Sequence, residues 1–165
     1  MKRLNIIPNK GVGDIYLGMS QEEVEEILTG EHRTLRKSDI YYSEDYKEHD
    51  IIIEYDASGT VVTIELVDVM TDIYDVYFND IEVFKTKAED IIEALEKLDE
   101  CIVEEPDRDL ASEYIFQKLG LTFWRSSAFH PKLLDDPEFM EMSESIREDE
   151  MKYWYFESIG VSKYI

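Results

Sequence analysis

Two glutamates, Glu54 and Glu65, come closest to a catalytic arrangement by residue type and spacing. They lie in the β-prone runs 51–55 and 60–67, and turn-forming residues 56–59 separate the runs, so the two carboxylates could face each other across a hairpin. Paired carboxylates can act as general acid and base in hydrolysis. Because the chain has 39 Asp and Glu residues, chance pairs are expected and a solvated face is the favoured interpretation. A carboxylate-dependent hydrolase, with or without a metal, stays an alternative function.

The glycines near the start of the chain do not form a phosphate-binding loop. Gly11, Gly13 and Gly18 fit neither G-x-G-x-x-G nor G-x-x-x-x-G-K-[ST]. Acidic residues at positions 14, 22 and 23 would repel a phosphate placed there. We interpret these glycines as turn residues that lead into a helix.

Residues that commonly bind metals or act as nucleophiles are sparse. No two of His32, His49 and His130 have a ligand spacing such as i, i+4, and Cys101 is the only cysteine. The acidic runs lack the Asp-x-Asp-x-Asp-Gly pattern of a calcium loop, and there is no Gly-x-Ser-x-Gly motif. The sequence therefore predicts no catalytic residue, no metal site, no cofactor and a non-enzymatic protein.

The charge of the chain is strongly unbalanced, because 17 Lys and Arg residues leave a formal net charge of −22. Such a surface repels the phosphates of nucleic acids and the anionic surfaces of membranes. It favours a basic protein as partner, since the field accelerates association. Solubility alone is the competing explanation of the acidity. Another alternative is an acidic mimic of nucleic acid whose carboxylates follow a phosphate track.

Aromatic residues alternate with acidic ones in several segments of the chain, notably 41–46, 72–75 and 150–157. Tyrosine and tryptophan are efficient anchors at interfaces, and carboxylates around them attract a cationic partner. Ordinary core packing is the alternative role of these aromatic residues, above all for Trp124 and Trp154. The sequence predicts the following partner-binding residues: Tyr41, Glu54, Glu65, Asp72, Tyr74, Asp75, Trp124, Tyr153 and Tyr155.

The first residues of the chain include Lys2 and Arg3 but no apolar stretch of signal-peptide length. No apolar run approaches the ~20 residues that a membrane span needs. We expect a cytoplasmic protein.

The pattern of helices and strands predicts an α+β fold. Ser20 and Glu23 have capping-box spacing, and a hairpin over 51–67 follows the helix that they open. The second half repeats this order, with a strand near 81–84, a second capping box at Thr86 and Glu89, a helix over 88–98, and a hairpin that turns near Gly120. The β-prone residues 153–156 predict a last strand, and residues 134–150 predict a short helix after Pro137 or a mobile segment.

We therefore expect one twisted antiparallel sheet with two helices packed on one face, since antiparallel hairpins lie between the helices. The 165 residues would form a single domain with tandem strand-helix-hairpin repeats, at about 1–70 and 71–126. An acidic segment and the last strand would follow at 127–165.

The run Leu-Gly-Met-Ser-Gln-Glu-Glu-Val at residues 17–24, followed by Ile27 and Leu28, resembles the opening of β-lactamase-inhibitor-protein-like domains. That resemblance implies tandem αββ units and a concave sheet face that grips a partner protein. The small, acidic character of the chain also resembles that of bacterial toxin-immunity proteins. The expected function is an immunity protein or inhibitor that neutralises a basic partner such as a nuclease toxin.

Overall fold

The computed structural model describes residues 2–37, 41–46, 51–68 and 73–163. The strands are β1 (Lys2–Ile7), β2 (Gly11–Val12), β3 (Ile15–Tyr16), β4 (His32–Lys37), β5 (Tyr41–Tyr46), β6 (Ile51–Asp56), β7 (Val61–Val67), β8 (Tyr74–Phe78), β9 (Ile81–Glu82), β10 (Cys101–Ile102), β11 (Glu113–Phe116), β12 (Leu121–Trp124) and β13 (Ser158–Ser162). The α-helices are α1 (Gln21–Ile27), α2 (Ala88–Glu96), α3 (Pro137–Glu141) and α4 (Glu144–Met151). The fold is α+β, as predicted from the sequence.

The strands form two sheets where the sequence predicted one. The large sheet has the order β10-β11-β12-β13-β7-β6-β5-β4, and every neighbouring pair in it is antiparallel. The small sheet has the order β3-β2-β1-β8-β9, and its β1 and β8 run parallel. Hairpin patterns in the sequence cannot predict this parallel pairing, because the two strands lie about 70 residues apart in the chain.

The two halves of the chain meet in the large sheet. Strands β4–β7 of the first half and β10–β12 of the second half lie on opposite sides of β13, which pairs with both β7 and β12. The order strand, helix, hairpin occurs in both halves, and the repeat boundaries near residues 70 and 126 stay a prediction.

Helix α1 begins as the sequence predicts. The Ser20 hydroxyl accepts a hydrogen bond from the Glu23 amide, and the Glu23 carboxylate accepts one from the Ser20 amide. Val24 and Leu28 are buried in the core, whereas Ile27 remains substantially exposed.

The second capping box is wrong, because α2 begins after Lys87 and no side chain caps it. The carboxylate of Glu89 instead accepts a hydrogen bond from the indole Nε1 of Trp154 at 2.6 Å. The predicted helix does form, and Ala88, Ile91 and Leu95 are buried on one face of it.

Both predicted hairpins form, but the first contains an irregularity. The register shifts between Glu54 and Tyr55, so that Val61 pairs with Tyr55 and Val62 is the extra residue of a β-bulge. The bulge turns Val61 to the core, where it is fully buried together with Ile64. The second hairpin pairs β11 with β12 in the predicted place.

The last strand lies a few residues later than predicted. Residues 153–156 form no strand: Lys152–Trp154 is a 3₁₀ turn, and the strand is β13. The carbonyl of Tyr153 accepts hydrogen bonds from the Arg125 guanidinium and the Phe129 amide, so it is not available to a sheet. The segment that follows Pro137 is helical, as α3 and α4.

One continuous core joins these layers. Side chains of both sheets pack with those of α1 and α2, including Val24, Ile64, Val76, Ile91 and Phe123. These contacts involve one face of the large sheet, here called the inner face. The opposite face is called the outer face. Among the described residues, no helix combines the length and the apolar character that crossing a membrane requires.

Candidate partner-binding surface

The outer face of the large sheet follows from the two-residue period of its strands. In β7 and β13 the residues Ile64, Leu66, Ile159 and Val161 are fully buried on the inner face. The residues between them therefore point outward. Along β13 these outward residues are small: Ser158, Gly160 and Ser162.

A depression of about 410 Å³ lies on this face, at the centre of the large sheet. We call it the groove. It is lined by Thr63, Glu65, Glu113, Thr122, Trp124, Ser158, Gly160 and Ser162, which belong to β7, β13, β12 and β11. The pairing register aligns them in rows across the sheet: Glu65 is opposite Gly160, and Gly160 is opposite Thr122. Four neighbouring strands thus supply one continuous lining.

Gly160 lines the groove without a side chain. Its φ does not lie in the left-handed region, and a Cβ at this position would meet Thr122 only at 3.9–4.0 Å, which is ordinary van der Waals contact. The backbone therefore does not require glycine here. Glycine inside a strand weakens the sheet, and it often marks a place where another molecule approaches the backbone closely.

The rim of the groove carries negative charge and one large aromatic side chain. Neither Glu65 nor Glu113 forms an ion pair with any side chain that the structure describes. Trp124 pairs with Glu113 across β11 and β12, and 41% of its surface is exposed. An exposed tryptophan beside two carboxylates can contact both the apolar stem and the cationic head of a lysine or arginine.

Glu54 and Glu65, the predicted carboxylate pair, do not face each other directly. Glu54 pairs with Thr63, whereas Glu65 pairs with Ile52, so the two carboxylates are diagonal neighbours on the outer face. Diagonal neighbours lie about 7–8 Å apart. Glu54 lies beside the groove and does not line it.

The two carboxylates that line the groove do not come from neighbouring strands. The backbones of Glu65 and Glu113 are separated by three strand spacings, which is roughly 15 Å at about 4.8 Å per spacing. Catalytic carboxyl pairs of glycosidases lie about 5–9.5 Å apart. The two glutamates therefore lie on opposite sides of the groove, with β12 and β13 between them.

Three of the predicted partner-binding residues share the outer face: Glu54, Glu65 and Trp124. Tyr41 begins β5 of the same sheet, opposite Asp56, but its side chain lies outside the described residues. Asp72 lies wholly outside the described residues.

The remaining predicted residues lie elsewhere, because the acidic-aromatic pattern does not distinguish between faces. Tyr74 and Asp75 belong to β8 of the small sheet, where Tyr74 is buried. Asp75 forms an ion pair with Lys85 at 2.9 Å, and this contact lowers the pKa of the Asp75 carboxyl below its ordinary value. Tyr153 and Tyr155 flank Trp154, which contacts α2 on the helical side of the large sheet.

Sequence reasoning missed the small residues that form the floor of the groove. Ser158, Gly160 and Ser162 alternate with Ile159 and Val161, which is the two-residue period of a strand with one core face. This alternation could have predicted the strand, but the aromatic residues 153–156 just before it have a stronger β-propensity and were assigned to the strand instead.

A second depression, of about 230 Å³, lies between α2 and the segment after β10. Several of its charged groups have internal partners: Arg108 contacts Glu96, and Arg125 donates to backbone carbonyls. Because these partners are internal, this depression offers a weaker binding surface than the groove does.

Comparisons with protein families, with curated proteins and with solved structures find no match for this chain.

Proposed function

We propose that this chain is a non-enzymatic protein-binding module whose groove receives a protruding, positively charged segment of a basic protein. An immunity protein or inhibitor that neutralises a basic partner, such as a nuclease toxin, is the function that fits this surface best. Binding would take place in the cytoplasm.

The observation that carries the proposal is Gly160 at the floor of the groove. The backbone at residue 160 does not require glycine, and β13 has a neighbouring strand on each side. The missing side chain leaves an open space on the outer face, which the described core contacts do not use. A partner side chain or loop that enters this space would bury the surrounding small residues and Trp124. Buried aromatic anchors near the centre of an interface usually contribute most of the affinity.

Electrostatics supports a basic partner. The formal net charge of −22 attracts a cationic protein over long range, and Glu65 and Glu113 supply local acceptors for its lysine or arginine side chains. Such attraction raises the association rate more than it raises the affinity. The association rate should therefore fall steeply with added salt, while the dissociation rate changes little.

The test is binding of the purified chain to the purified product of the adjacent gene, measured by surface plasmon resonance. Gly160→Val should fill the groove and weaken binding at least tenfold, whereas Gly160→Ala should weaken it less. Trp124→Ala should also weaken binding, and Leu98→Ala is the matched control because Leu98 is an exposed apolar side chain outside the outer face.

The proposal fails if the adjacent product does not bind, or if Gly160→Val binds it as tightly as the wild type does. Thermal unfolding of each variant establishes that the fold is intact. Valine at 160 should not lower the stability, because valine favours strands and its Cβ has room.

A further inference from the structure

A histidine and two glutamates converge on the inner face of the large sheet, at its β4 edge. Pairing of β4 with β5 places His32 opposite Tyr46 and Thr34 opposite Glu44, so His32 and Glu44 lie on the same face two residues apart. Glu25 reaches this place from α1. No local sequence motif marks the cluster, because its members come from three different elements.

The three donor atoms have the spacing of ligands around one small cation. His32 Nε2 lies 3.7 Å from Glu44 Oε1 and 3.9 Å from Glu25 Oε1, and all three atoms lie within 4.8 Å of one another. The first two distances are too long for hydrogen bonds. Ligand atoms around a tetrahedral Zn²⁺ lie about 3.4 Å apart, since each is about 2.0–2.2 Å from the metal. Shifts of a few tenths of an ångström would bring both pairs to this separation.

Surrounding side chains hold these ligands in place. Tyr46 donates its hydroxyl proton to Glu44 at 3.2 Å, and its ring packs against the ring of His32 with centroids 5.0 Å apart. The amide of Gln21 donates to Glu44 at 3.1 Å and to Glu25 at 3.0 Å, while its oxygen accepts from Tyr42 at 2.6 Å. Metal ligands in proteins are characteristically oriented by such outer contacts.

The burial of Glu44 favours a cation beside it, because its two hydrogen-bond donors, Gln21 and Tyr46, are both uncharged. Only 4% of this residue is exposed, and a buried carboxylate is costly unless a positive charge or a full set of donors accompanies it. No lysine or arginine whose side chain the structure describes lies within ion-pair distance of Glu44. A second carboxylate, Glu25, lies within 4.8 Å of Glu44 beside His32, and a divalent ion among the three residues would neutralise both carboxylates.

We propose that Glu25, His32 and Glu44 form a binding site for one divalent transition-metal ion, with Zn²⁺ as the best match. One imidazole with two carboxylates suits Zn²⁺ better than Mg²⁺ or Ca²⁺, which prefer all-oxygen sites with more ligands. Three protein ligands leave a fourth tetrahedral position for water or for a partner's side chain. The site lies on the opposite face of the sheet from the groove and does not depend on the proposed function.

The test is isothermal titration of the chelator-treated full chain with zinc chloride and, separately, with magnesium chloride. The wild type should bind one Zn²⁺ much more tightly than Mg²⁺, and Zn²⁺ should raise its Tm. His32→Gln and Glu44→Gln should each weaken this binding at least tenfold. His130→Gln and Glu22→Gln are the matched controls, because neither residue belongs to the cluster.

X-ray absorption at the zinc edge provides a readout that does not depend on stability. It should show one imidazole ligand in the wild type and none in His32→Gln. The proposal is overturned if His32→Gln binds Zn²⁺ as the wild type does, or if Zn²⁺ binds with no imidazole ligand, since either result would mean scattered binding to surface carboxylates.

Discussion

The guanidinium of Arg125 donates a hydrogen bond to the hydroxyl of Tyr114 over 3.2 Å inside the protein. The same guanidinium donates to the backbone carbonyls of Asp109, Ala111, Phe129 and Tyr153. Arg125 is 1% exposed, and burial lowers the pKa of its guanidinium, which nevertheless stays charged at neutral pH. One side chain thus joins the segment before β11, the segment after β12 and the 3₁₀ turn before β13.

Arg125→Lys should lower the free energy of unfolding by roughly 3 kcal/mol, because a single ammonium cannot reach carbonyls on three segments and buried acceptors would lose their donors. Urea unfolding at neutral pH measures the change. Arg33→Lys is the control, since Arg33 is exposed and its ion pair with Asp45 contributes little. A loss below about 0.5 kcal/mol for Arg125→Lys would contradict this role.

Ser20→Ala should cost about 1 kcal/mol of stability, because it removes the side-chain acceptor that caps α1. Thr86→Ala should change the stability by less than about 0.5 kcal/mol, since Thr86 does not cap α2. Thermal and urea unfolding of the two variants, measured side by side, provide the comparison. Equal losses in both would mean that Thr86 acts as a cap after all.

Gly120 and Gly160 should respond oppositely to alanine. Gly120 has a φ of +64°, and a Cβ there would meet the Asn9 side chain at 2.7 Å and the Ser162 carbonyl at 2.8 Å. Gly120→Ala should therefore cost about 2 kcal/mol or more, from left-handed strain and crowding. Gly160→Ala should be neutral or stabilising, because its Cβ has room and alanine restricts the unfolded chain. A large loss for Gly160→Ala would show that the backbone needs glycine there.

Stability should decline at alkaline pH through the buried tyrosines. Burial is the main cause that raises the pKa of Tyr46 to about 12, and it also raises the pKa of Tyr55. A hydroxyl with a raised pKa in the folded state stabilises the fold below the unfolded pKa of about 10, and this contribution is lost as the pH rises toward 12. Tyr46 alone accounts for roughly 2–3 kcal/mol, at about 1.4 kcal/mol per pKa unit.

Urea unfolding at pH 9, 10 and 11, with tyrosinate absorbance as a second signal, measures this decline. Tyr46→Phe removes one of the titrating hydroxyls, so its stability should fall less steeply above pH 10 than that of the wild type. The same slope in both proteins would mean that other groups control the alkaline transition.

The features that could be predicted from the sequence depend on neighbouring residues. The cap at Ser20 and Glu23, the apolar face of α2 and the turn at Gly120 each involve a few consecutive positions, and the structure contains all three. The cap predicted at Thr86 failed because Trp154, 65 residues from Glu89, binds the carboxylate that the capping box would have used. The spacing of Thr86 and Glu89 in the sequence does not reveal that Trp154 binds this carboxylate.

The candidate site was predictable only in part for the same reason. Glu65 and Trp124 stand out by residue type, but the register that brings them to one groove is set by β13, which pairs with both of their strands. The β-prone residues 153–156 suggested a different strand, because tertiary hydrogen bonds to the Tyr153 carbonyl override their propensity.

The position of β13 has a consequence for how the chain folds. This strand follows every other strand of the large sheet in the chain, yet it lies between β7 and β12. During synthesis, the first half and the second half each present an unpaired strand edge until β13 leaves the ribosome, and such edges readily pair with other chains. Nascent chains arrested before residue 158 should therefore depend on chaperones, and completion of the sheet should be a late event with long-range contacts.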